Sequence, residues 1–115
     1  MKESINVFPS DKLPEGFKYP EEYLIALEKE RELYPWIFID AMGEVGQLLY
    51  TIGMSDEKKL ISFASLENGD GDAACFDGRD HSGNPRIIML ILDGSERKYG
   101  FENFSDWLEK AKNGS

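Results

Sequence analysis

The chain has 115 residues and a formal net charge of -9, with 13 Lys and Arg against 22 Asp and Glu. A chain of that length buries about two-thirds of the surface its unfolded form exposes, enough for one core without disulfides or a structural metal. Residues 1–115 are therefore expected to form a single domain, with 1–18 as an irregular N-terminal arm. The charge excludes the basic footprint that nucleic-acid binding requires, disfavours an anionic membrane surface, and would steer a basic protein partner.

Cys75 is the only cysteine, so no intrachain disulfide can form, which fits a reducing compartment. The N-terminus lacks the apolar core of a secretory signal. The longest apolar run, 87–92, is too short to span a bilayer. A cytoplasmic protein is the expectation.

Pro9, Pro14 and Gly16 break up residues 1–18, with Leu13 and Phe17 as candidates to pin this arm. Pro20 is preorganised for a helix start, and Glu21 and Glu22 suit the positive end of the helix dipole. Tyr23, Leu24, Leu27 and Tyr34 then recur at helical spacing, and Pro35 closes the helix. Residues 36–39 (Trp-Ile-Phe-Ile) read as a strand or buried extended segment. Residues 41–54 are ambiguous. Met42, Val45, Leu48, Leu49 and Ile52 fit a helical stripe, while Gly43, Gly46 and Gly53 each weaken a helix by about 1 kcal/mol relative to alanine.

The second half reads as β structure. Residues 60–64 are a first strand, 68–71 a strong Asn/Gly/Asp turn, 73–77 a second strand and 86–92 the most buried one. After a turn at 93–95, Lys98-Tyr99 is expected to add a short edge piece. The connections are too short for helical crossovers, so the pairing should be largely antiparallel. A final helix starts near Asn103, a good N-cap with Asp106 three residues on. Phe104, Trp107, Leu108 and Ala111 give it one apolar face. The predicted fold is α+β, with an N-terminal and a C-terminal helix packed on the sheet. Trp36, Phe63, Phe76, Phe104, Trp107 and Leu108 are the expected core.

The candidates for chemistry are thin. Asn68, Asp70 and Asp72 alternate like the opening of a calcium loop. The sixth and twelfth positions then hold Ala73 and Arg79 where an EF-hand needs Gly and Glu. His81 stands near Asp77 and Asp80 but has no second imidazole or thiolate to complete a metal site. Cys75 sits inside a predicted strand among acids, a setting that blunts a thiol. No cofactor motif is present, and neither cofactor nor metal is expected. What stands out is a run of five acids, Glu67, Asp70, Asp72, Asp77 and Asp80, opposed between 66 and 84 by Arg79 alone.

Two segments, LISFASLENGDGDAACFDG (60–78) and GNPRIIMLILDGSERKYGFENFSDWLEKA (83–111), resemble the SUKH superfamily. These are the Smi/Knr-type proteins, among them cell-wall-synthesis regulators and bacterial toxin-immunity proteins. Phe63-Ala64, Gly71-Asp72, Cys75-Phe76, Ile87 to Leu92, and Phe104 with Trp107-Leu108 carry the likeness. A looser match covers 13–40, at Leu13-Pro14, Tyr19-Pro20 and 33–36. The resemblance implies an α+β sheet with flanking helices and no catalytic centre. In bacterial members it implies cytoplasmic binding and neutralisation of a toxin, often a nuclease or deaminase.

The sequence therefore points to a non-enzymatic, protein-binding domain of the immunity type, with a basic toxin such as a nuclease as the expected partner. The acids Glu67, Asp70, Asp72, Asp77 and Asp80 are its expected contacts. A regulatory or scaffold interaction module is the first alternative. A divalent-metal-dependent hydrolase built on Asp70, Asp72, Asp77, Asp80 and His81 is the second.

Overall fold

The computed structural model describes residues 7–29, 36–66, 72–91 and 94–113. Glu67, Asp70 and the turn at 68–71 lie outside these residues. So do 30–35 at the end of the first predicted helix, Leu92 at the end of the third predicted strand, and Asp93 of the turn that follows it.

Among the described residues, five strands form one antiparallel meander in the order β1-β2-β3-β4-β5. They are β1 (Trp36–Phe38), β2 (Leu60–Leu66), β3 (Ala73–Asp77), β4 (Ile87–Leu90) and β5 (Glu96–Phe101). The α-helices among the described residues flank them: α1 (Glu21–Lys29), α2 (Glu44–Met54) and α3 (Phe104–Lys112). The chain is thus an α+β protein, as the short connections require.

Local chemistry explains the helix ends. The Tyr23 N–H donates to the Pro20 carbonyl at 3.1 Å, so proline opens α1 without losing a needed donor. Asn103 caps α3 by accepting the Asp106 N–H at 3.0 Å. The ambiguous segment 41–54 resolves as the helix α2, with Gly43 at its N-cap.

Register divides the sheet into two faces, because strand side chains alternate. Phe76 pairs with Ile87, Cys75 with Ile88 and Ala73 with Leu90. The first face carries Ile61, Phe63, Ala74, Phe76, Ile87 and Met89, packed with Tyr23 and Leu27 of α1 and Phe104, Trp107 and Leu108 of α3. Phe63 stacks on Phe76 at 4.3 Å, and Tyr23 meets Phe76 edge-on at 5.1 Å. Trp107 stands edge-on to both Phe63, at 4.8 Å, and Trp36, at 5.5 Å. Each such aromatic pair adds about 0.5–1.5 kcal/mol beyond its buried area. Phe17 closes this core from the N-terminal arm, which is held further by the Tyr50 hydroxyl donating to the Lys12 carbonyl at 2.6 Å.

The second face carries Leu60, Ala73, Cys75, Ile88 and Leu90 and receives Leu49 and Ile52 of α2. Gly46 and Gly53 bring α2 in close. A Cβ at Gly46 would collide with the Asp40 carbonyl, and one at Gly53 with the Leu60 carbonyl. The stripe read from 42–52 is therefore split. Leu49 turns inward, while Met42, Val45 and Leu48 are exposed.

Candidate functional site

The first face is covered by α1, α3 and the N-terminal arm. Leu24, expected on the inward stripe of α1, is instead 43% exposed beside Ile25 at 45%, and the larger group of exposed apolar side chains lies on the second face. There α2 stands as a ridge between two unlike depressions.

On the β1 side the surface is apolar. Val45 and Leu48 stand at i and i+3 on α2, and Met42 precedes them in the turn that leads into the helix. Met42, Val45 and Leu48 are 72%, 57% and 53% exposed, and Ile37 of the edge strand β1 is 46% exposed. Between ridge and strand lies a groove of about 440 Å³ lined by Ile37, Ile39, Val45, Gly46 and Ser65, with Asp40 and Glu44 also on its wall. Asp40 Oδ1 accepts the Met42 N–H at 2.9 Å, which fixes the chain entering the ridge. Adjoining exposed apolar side chains rimmed by charge are the mark of an interaction surface.

On the β4–β5 side the surface is charged, and here three of the expected contact acids find their places. Asp77 is buried. It accepts from Arg86 Nη2 at 2.7 Å, Arg79 Nε at 3.2 Å and the Arg79 backbone N–H at 3.0 Å. Burial pushes its carboxyl up. The bonds from Arg86 and Arg79 outweigh that and hold it below the ordinary carboxylate range. Asp72, also buried, takes a two-pronged grip from Arg97, with Nη2 to Oδ1 at 2.9 Å and Nε to Oδ2 at 3.1 Å. Asp80 lies nearer the surface. It accepts the Ser82 and Arg86 backbone N–H groups at 3.1 and 3.2 Å, and its hydrogen bonds, those from Ser82 foremost, lower its carboxyl.

The structure thus brings Asp77 and Asp80 to one loop, both engaged with Arg86, and places Asp72 at the other end of β3. It turns Asp72 and Asp77 inward and their arginine partners outward. The side chains of Asp72 and Asp77 are 9% and 3% exposed, against 37% for Arg97, 56% for Arg79 and 62% for Arg86. Arg86 and Arg97 were not among the residues singled out from sequence. Their spacing to Asp77 and Asp72 becomes legible only through strand register.

The remaining candidates are structural in place. The Cys75 thiol is buried, and burial pushes its pKa up. His81 is exposed, and its ring lies where a side chain at Gly16 would stand. Gly16 holds a φ of +85°, so glycine suits that arm twice over. Among the described residues no group of three or more His, Cys, Asp or Glu is placed to hold a metal ion, and no helix is long and apolar enough to cross a membrane.

A five-stranded meander with aromatic helices on one face and a single glycine-seated helix on the other defines a small α+β class with flanking helices. The chain belongs to the SMI1/KNR4 family (SUKH-1), whose model matches residues 5–110. No curated protein and no solved structure matches the chain significantly.

Proposed function

We propose that this chain acts by binding another protein through the α2 ridge and the groove between α2 and β1. The observation that carries this reading is the row Met42, Val45 and Leu48 beside Ile37, four large apolar side chains left exposed together. A fold with so well-filled a core on its other face has no packing reason to leave them out. Asp40 and Glu44 beside the groove, and a net charge of -9, favour a partner that brings apolar anchors within a basic surround. Family membership supports protein–protein interaction in general. The finer role follows the resemblance to immunity proteins: neutralisation of a basic toxin, such as a nuclease, by occlusion and without catalysis. A regulatory or scaffold module would use the same surface. In this reading Asp72 and Asp77 serve as supports for arginines, and the acids nearer the surface assist by long-range attraction.

The test begins with partner capture from extract of the native host and identification by mass spectrometry. Affinity is then measured with the purified partner. The double variant Val45→Lys, Leu48→Lys replaces exposed side chains, so its stability should change by no more than about 0.5 kcal/mol per site. Its affinity should fall at least about tenfold, the loss of roughly one well-packed anchor. An unchanged affinity, with the fold intact, refutes this docking face. A tenfold loss on reversing Asp80, with none on altering α2, would move the contact to the acid-rich loop.

A further inference from the structure

Arginines are few in this chain, and they cluster. The chain has four, and three of them, Arg79, Arg86 and Arg97, line one open pocket of about 430 Å³ on the second sheet face. In a chain this acidic, such a concentration is not a sampling of the surface. Arg79 also lines a neighbouring pocket of about 480 Å³, together with Lys59, His81 and the backbone of Gly16 and Gly78. One guanidinium thus serves two adjoining depressions.

The guanidinium groups of Arg79 and Arg86 are anchored from beneath by one buried carboxylate, Asp77. This fixes long side chains that would otherwise lose rotamer freedom on binding. Only Nε of Arg79 and Nη2 of Arg86 bond to Asp77, and a guanidinium carries five N–H donors, so each retains further donors. The floor is also held open. At Gly100 a Cβ would strike the Ile87 carbonyl, so no side chain can fill this part of the pocket.

Glu96 and Glu102 share the rim, with Glu15 beside the second pocket. The local charge therefore does little to gather a diffuse anion atmosphere. What the site offers is direction, the planar fork of arginine that matches two oxygens at once. We propose that Arg79, with Arg86 and Arg97 on one side and Lys59 and His81 on the other, forms a site for an oxyanion group, a carboxylate or a phosphate. A free small anion and an acidic side chain of a peptide both present this group, and the chemistry recognised is the same.

The experiment is a heteronuclear NMR titration of the full chain with inorganic phosphate, with acetate and with a short Asp/Glu peptide, each against sodium chloride at matched ionic strength. The expected result is saturable shifts at Gly78, Arg79, Ile88 and Gly100 with a dissociation constant in the millimolar range, as suits one or two charge-assisted contacts. Saturation with phosphate or acetate assigns the free anion as source, and tighter saturation with the peptide assigns the side-chain source. Arg79→Gln should weaken binding about tenfold, and Arg79→Lys, which keeps the charge but not the fork, should weaken it less. Val45→Lys, Leu48→Lys should leave it unchanged, which separates this site from the docking face. Shifts that grow linearly, that chloride reproduces, or that Arg79→Gln leaves intact overturn the proposal. The chloride comparison on the unaltered protein decides the matter even if Arg79→Gln fails to fold.

Discussion

Replacing Asp77 by asparagine tests whether the acids of β3 are structural supports. Asp77 accepts two guanidinium bonds and one backbone bond. A bond to a charged partner contributes about 1.5–3 kcal/mol when shielded, but Arg79 and Arg86 are more than half exposed. Solvent screening cuts each to no more than about 1 kcal/mol. The backbone bond adds about 1 kcal/mol. Asparagine keeps one acceptor and turns an N–H pair toward an arginine, so the expected loss is about 2–3 kcal/mol. For a chain of this size that lowers Tm by roughly 8–15 °C. The pH dependence follows from the sign of the shift. The folded carboxyl of Asp77 lies below its ordinary value. Its stabilisation is therefore present above the unfolded pKa, about 3.9, and is lost as pH falls through the lower folded value. Urea unfolding of both proteins near neutral pH and at about pH 2.5 should show the gap narrowing in acid. A gap of equal size at both pH values would show that the carboxylate charge is not what holds the hub, and the account of β3 would fail.

Trp107→Ala should cost about 3–5 kcal/mol, because the indole is buried and meets both Phe63 and Trp36 edge-on; chemical denaturation measures it, and a loss under 1 kcal/mol would contradict the packing described. Lys59→Gly should stabilise the fold by about 0.5–1 kcal/mol. Lys59 holds a φ of 57°, where a side chain costs about 1–2 kcal/mol and the gain is offset by added freedom in the unfolded chain. The same unfolding assay reads it, and a destabilisation would mean that the strain is not borne there.

What the sequence discloses is what local chemistry controls. A short, mostly apolar run after the Asn/Gly/Asp turn places β3 at 73–77, and Asn103 with Asp106 marks the start of α3, because both signals operate within a few residues. The sheet order follows from short connections. The site is another matter. Asp72 meets Arg97 across 25 residues, and Asp77 meets Arg86 because Phe76 is registered on Ile87. Each acid therefore looks, in sequence, like part of a solvated cluster. β5 extends over Glu96–Phe101, longer than its Lys98-Tyr99 core suggests. Its charged residues suit an edge strand, where one flank faces water. The apolar residues of 42–52 posed the opposite difficulty, since more of them fit the stripe than the sheet can cover.

A signal for that choice was present in the glycines. Gly46, Leu49 and Gly53 stand at i, i+3 and i+7, one line along a helix, and that line faces the sheet. Helix propensity predicts that Gly46→Ala or Gly53→Ala should stabilise α2 by about 1 kcal/mol. The structure reverses the sign. An added Cβ would meet the Asp40 or Leu60 carbonyl, both backbone atoms with little room to move, and overpacking of this kind costs about 1–3 kcal/mol. Each variant should therefore be destabilised by roughly 1–2 kcal/mol in urea unfolding, despite the better helix former. The consequence extends to binding. If α2 is pushed off the sheet, Val45 moves away from Ile37 and the groove between them widens, so partner affinity should fall even for Gly53→Ala, whose glycine lies outside the groove lining. A stabilised Gly46→Ala variant would mean that α2 sits further from the sheet than described, and that the groove is not a fixed surface.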